Sequence, residues 1–193
     1  MFDSDFPFEP LKKMGVRLEL DTILSLRVFP ALEEKLRGES LWAIRTLVSF
    51  RIGLEADGTP RKGDDPAGEA LLKWKRSSAE DYQLIIANLE KASKMDKIKD
   101  PNIMEPVQHG GAAGIYEVKA RKYNARLFVF YDTTLRRLIV AAGAYWKLGR
   151  NLAKERELQN SAILKAAQRR DLWVNAEPVP GHANWRVFRH EID

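Results

Sequence analysis

The chain has 193 residues, no cysteine and a formal net charge of +5, which excludes a disulfide scaffold, a Cys-ligated zinc site and a thiol nucleophile. Its 45% hydrophobic and 31% charged residues are an ordinary globular mix, enough for one medium domain or a small domain with a sizeable extension. No apolar run reaches the roughly 18–20 residues of a membrane helix, and the acidic, Pro-containing start "MFDSDFPFEP" is unlike a secretory leader, so a cytoplasmic protein with no membrane association is expected.

Residues 1–15 read as an irregular lead-in. In 16–37, "VRLEL" alternates as a strand does, "TILSLRVF" suits strand or helix, and "PALEEKLR" predicts a short helix opening on Pro30. In 39–55, Leu41, Ile44, Leu47, Val48 and Ile52 recur at helical spacing, which predicts a helix. Residues 56–70 are rich in Gly, Pro and Asp and form the best candidate boundary, a long loop. "GEALLKWKR" at 68–76 reads as a short helix or strand.

Residues 79–95 predict a helix. Ser77 or Ser78 caps it, and Tyr82, Ile85, Ile86, Leu89 and Ala92 form its buried stripe. An extended linker with a Gly-rich turn leads to three strands at 115–121, 125–132 and 137–146. Their short connections predict an antiparallel meander. A helix from about 151 to 172 follows, with Leu152, Leu158, Ile163, Leu164 and Ala167 as a sparse apolar set, and the tail holds a strand-like "NWRVFRHE".

The positive charge is concentrated. Residues 115–170 carry 13 Lys and Arg against 4 Asp and Glu, and the rest of the chain is net acidic. Such asymmetry favours a polyanionic partner. No pair among His109, His182 and His190 has metal-ligand spacing, no phosphate or dinucleotide loop is present, and no nucleophile elbow occurs; no cofactor is expected.

The meander brings cations together. Glu117, Lys119 and Arg121 share one face of the first strand, opposite Tyr116, Val118 and Ala120. Arg126 opens the second strand beside Lys122, and the third strand closes in Tyr145, Trp146, Lys147 and, beyond it, Arg150. Antiparallel order returns all of these to one end of the sheet. Clustered Lys and Arg can stabilise the dianionic transition state of RNA cleavage, a crowded lysine can act as base, and Tyr or Trp can stack an unpaired base. The competing reading makes Lys119, Arg121 and Arg126 rim residues paired with Glu117 and Asp132.

"GIYEVKARKYNARLFVFYD" followed by "RRLIVAAGAYWK" and the helix from about 151 resembles the RelE/ParE superfamily of bacterial type II toxins, closest to its phage-associated HigB-like branch. The resemblance covers roughly residues 77–172. It implies an α+β, RelE-like fold: a twisted antiparallel sheet of about four strands packed with helices, with an N-terminal helical extension or insertion at about 1–76 and a tail at 173–193, all one domain. It implies a toxin acting as a ribosome-dependent mRNA endoribonuclease by attack of the 2′-hydroxyl, with a cognate antitoxin and mRNA on the ribosome as partners.

By position the resemblance implies Lys119, Arg121, Arg126 and Lys147 as catalytic residues, and Tyr145, Trp146, Arg150 and Lys122 as substrate contacts. Alanine at Arg126 is expected to abolish cleavage with the fold intact. The alternatives are a ParE-like inhibitor that binds DNA gyrase without catalysis, or an inactive scaffold that binds nucleic acid or a partner. The chain departs from the pattern in its extra length and in Trp146, which stands where the branch has Lys.

Overall fold

The computed structural model describes residues 7–17, 21–29, 40–50, 63–96, 100–120, 124–134, 137–149 and 151–190. Among them are eight strands and four helices: α1 (Phe8–Lys13), β1 (Thr22–Val28), β2 (Ala43–Phe50), α2 (Pro66–Ser77), α3 (Ala79–Ser93), β3 (Glu105–Pro106), β4 (Tyr116–Lys119), β5 (Ala125–Asp132), β6 (Leu138–Trp146), α4 (Leu152–Asn175), β7 (Glu177–Val179) and β8 (His182–Phe188). All strands join one sheet in the order β3-β4-β5-β6-β2-β1-β8-β7. Every pairing is antiparallel except β2 with β6, which is parallel.

This overturns the expected four-stranded antiparallel RelE-like sheet with an N-terminal helical extension. The class is α+β in general terms, but the sheet is mixed and has eight strands. The N-terminal part supplies β1 and β2 to its middle, and the tail supplies β7 and β8 to its edge. The helix expected at 39–55 is instead β2 over the residues described there. The expected helix at 30–37 falls outside the described residues, as do residues 56–62 of the expected loop, whose remainder enters α2 at Pro66; of "VRLEL", only Val16 and Arg17 are described, without regular structure.

The reason lies in central strands. β2 packs apolar side chains on both faces of the sheet, so Ile44 and Val48 alternate with Leu47. A strand buried on both sides loses the period-two signal, and a short apolar run then mimics a helical stripe. β1, buried from Thr22 to Leu26, left the same ambiguity.

Helices cover both faces. On one, α2 and α3 place Leu71, Trp74, Ile85, Ile86 and Leu89 over Ile44, Val118, Val129 and Ile139. α1 continues this layer, with Leu11 against Ile23, Val48 and Val187. On the other, α4 lays Ile163, Ala166, Ala167 and Trp173 over Leu24, Leu47, Phe128, Phe130 and Val140. Local chemistry starts these helices: Asp65 accepts from Gly68 N at 2.8 Å, with Pro66 as the first residue of α2, and Asn151 accepts from Ala153 N at 2.9 Å. The close α4–β6 approach uses a glycine: a Cβ on Gly143 would lie 3.2 Å from that of Ala166.

Candidate functional site

Register aligns the basic residues. Lys119 on β4 lies opposite Arg126 on β5, which lies opposite Tyr145 on β6. Partners directly across antiparallel strands share a face, so the three form a row on the α4 side. Lys119 and Arg126 thus meet as the meander predicted. Trp146 does not join them. It pairs with Ala125 on the opposite face and packs on Trp74, with ring centroids 6.1 Å apart; alternation along β6 separates it from Tyr145. Arg121, Lys122 and Arg150 lie outside the described residues.

The cations are not free. Lys119 Nζ pairs with Glu105 of β3. Arg126, only 6% exposed, sets Nε 2.8 Å from Glu117 Oε1 and donates to the carbonyl of Ala125 at 2.8 Å. The rim-pairing reading therefore holds in one respect, since Glu117 is a partner. Asp132 instead lies apart, accepting from Trp173 Nε1 at 2.7 Å, with Arg186 at 3.7 Å.

Glu117 is the centre of the cluster and the residue that sequence reasoning passed over as a functional group. Burial pushes its carboxyl above the ordinary glutamate value, against the opposing charges of Arg126, Lys119 and Lys147 and with help from Glu105. Of the described cations of the expected catalytic set, Arg126 contacts this carboxylate, and Lys119 and Lys147 act on it only through their charge. The signal in the sequence was alternation: Glu117 shares a strand face with Lys119 and sits two residues from it.

Glu117 and Glu105 line a cleft of about 530 Å³ between the β3–β4 edge and α4, together with His109, Arg156, Gln159 and Asn160. The positive φ of Gly111 (80°) and Gly114 (79°) folds the turn that carries His109 to this edge. His109 Nδ1 lies 2.6 Å from the Gly110 carbonyl. A carbonyl only accepts, so Nδ1 carries the proton and Nε2 is left for exchange. Tyr145 donates from its hydroxyl to Glu155 at 2.9 Å, and burial together with that carboxylate pushes its pKa up to about 12. It stays protonated near neutrality.

A carboxylate with a raised pKa, an imidazole and the guanidinium of Arg156 along one cleft, with Arg126 behind the carboxylate, can move protons and offset phosphate charge. No group of three His, Asp or Glu converges as metal ligands among the described residues, and no described helix is long and apolar enough to cross a membrane. Comparisons with models of protein families, with curated proteins and with solved structures find no match for the chain.

Proposed function

We propose that the chain is an endoribonuclease, the toxin of a toxin–antitoxin pair acting on mRNA at the ribosome. One observation supports this reading: the buried Glu117, paired with Arg126 across β4 and β5, lines a polar cleft together with His109 and Arg156. The base is Glu117 rather than a lysine. Its carboxylate takes the proton of a 2′-hydroxyl, and the 2′-oxygen attacks phosphorus. The bond to the 5′-oxygen breaks, and that oxygen takes a proton from the imidazolium of His109. The products are a 2′,3′-cyclic phosphate and a 5′-hydroxyl. Arg156, which lines the cleft, offsets the charge that builds on the phosphate, and Arg126 holds Glu117 in place.

The test is inducible expression in bacteria of the wild type beside Glu117→Gln and His109→Ala, following growth and mapping mRNA 5′ ends on ribosomes. Wild type is expected to arrest growth with new 5′-hydroxyl ends, and both variants to be inert while remaining folded. Cleavage by Glu117→Gln at the wild-type rate would remove Glu117 from the mechanism. Arrest with intact mRNA would overturn the nuclease reading in favour of gyrase or another target, and no arrest from soluble protein would leave a binding scaffold.

A further inference from the structure

β2 and β6 are parallel neighbours for four residue pairs only, Ala43–Thr46 with Leu138–Ala141. Beyond them the strands part. Asp64 takes the place beside β2, exchanging backbone hydrogen bonds with Ser49 at 3.1 and 2.8 Å. The chain leaves β2 for α2 on one face of the sheet and leaves β6 for α4 on the other. Adjacent parallel strands whose continuations depart to opposite faces leave a crevice at their carboxyl ends, where open sheets of this kind bind ligands. The crevice here measures about 950 Å³, within the roughly 300–1,000 Å³ of small-molecule sites.

Its chemistry is amphipathic. Phe50, Ala142, Leu158 and Leu172 line it with apolar surface. From α4, Ser161, Lys165 and Arg169 line it too, spaced by four and therefore on one stripe of the helix. Arg169 is 8% exposed. Its terminal nitrogens donate to Ser49 Oγ at 3.1 Å, to Asp64 Oδ2 at 2.8 Å, to the Asp64 carbonyl at 2.9 Å and to the Leu47 carbonyl. Its Nε has no acceptor. The terminal contacts explain why an arginine ties α4 to the split. They fix its guanidinium charge at the crevice wall, with the exposed Lys165 one turn away.

We propose that this crevice binds a small molecule carrying an oxyanion on an apolar body. Lys165 Nζ donates to the oxyanion beside the fixed guanidinium charge of Arg169, and the apolar lining takes the body. The site is separate from the Glu117 cleft, which lies on the other side of α4's contact with the sheet and shares none of these lining residues.

The probe is anilinonaphthalene sulfonate, a sulfonate on an aromatic body, titrated into the folded full-length chain with fluorescence and thermal melting as readouts. Saturable binding of one dye per chain is expected, with a rise in melting temperature. Lys165→Gln, at an exposed position, weakens it about tenfold, the worth of one charged hydrogen bond. Ser161→Trp fills the crevice from the exposed side of α4 and abolishes binding, whereas Glu117→Gln leaves it unchanged. The proposal is overturned if the folded wild type shows no saturable binding, or if Lys165→Gln and Ser161→Trp both bind as the wild type does. Arg169 is left intact because its terminal contacts hold the fold.

Discussion

Arg126 and Glu117 meet across β5 and β4 with Nε 2.8 Å from Oε1, and they are only 6% and 8% exposed. A pair this deep is a structural element as well as a chemical one. Alanine at Arg126 leaves Glu117 buried without its nearest charge, so that variant tests the fold together with the site. It is expected to lose about 3–5 kcal/mol of stability, the usual result of breaking one side of a buried pair. Arg126→Met with Glu117→Leu should recover most of it. Urea denaturation of the two single variants and the double variant measures this; additive losses would show that the two side chains are not coupled.

Glu117 also sets a pH dependence. Its carboxyl is raised by burial in the folded chain, so the folded state binds that proton more tightly than the unfolded state. The group contributes nothing below the ordinary glutamate value, and its destabilising effect is complete above the folded value. Stability should therefore fall across that interval as pH rises, and Glu117→Gln should remove this component. If the carboxylate is the base, the acid limb of RNA cleavage follows the same raised value. A pH–rate profile with its acid limb in the normal glutamate range would contradict the assignment.

Asp132 has the opposite sign. Burial pushes its carboxyl up, but hydrogen bonds from Thr134 and Trp173 and the charge of Arg186 outweigh burial and hold it below the ordinary aspartate value. Its contribution is present above the unfolded value and is lost as pH falls through the lower folded value. Arg186 caps the arrangement, its guanidinium 4.5 Å above the Trp173 ring and Nη1 3.0 Å from the Trp173 carbonyl. Asp132→Asn is expected to cost about 1–3 kcal/mol near neutrality and much less at strongly acid pH, with a shift in Trp173 emission. An equal loss at both pH values would place the effect elsewhere.

Trp146 was expected to stack a base, but it packs with Trp74 under α2. Trp146→Ala should cost about 2 kcal/mol or more as a large-to-small change and leave RNA cleavage per folded molecule unchanged. A cleavage defect with wild-type stability would return Trp146 to the site.

Gly143 is the narrow point between β6 and α4. With Ala166 Cβ only 3.2 Å from where its own Cβ would stand, Gly143→Val must push α4 outward. About 1–3 kcal/mol of destabilisation is expected, together with weaker dye binding in the crevice beside it. Unchanged stability would mean that α4 moves freely on the sheet.

The sequence by itself determined the segments whose pattern is local. The helix at 79–95, the meander and the helix from about 151 keep their places, with boundaries moved by a few residues, because one-sided burial and short connections are written in neighbouring residues. Strand alternation likewise placed Glu117 and Lys119 on one face. What only the tertiary structure decided depends on distant partners. β1 and β2 are strands because they lie between β6 and β8, hydrogen-bonded on both sides and buried on both faces, and no local period records that. Alternation separates Tyr145 from Trp146, but only the helices on both faces of the sheet decide that Trp146 is packed on Trp74 rather than open. Lys119 is paired rather than free because β3, from 105–106, returns to the edge beside β4 and brings Glu105 to it. The crevice at Arg169 exists only because the chain leaves two parallel neighbours in opposite directions, a relation between residues 49 and 142 that no stretch of sequence contains.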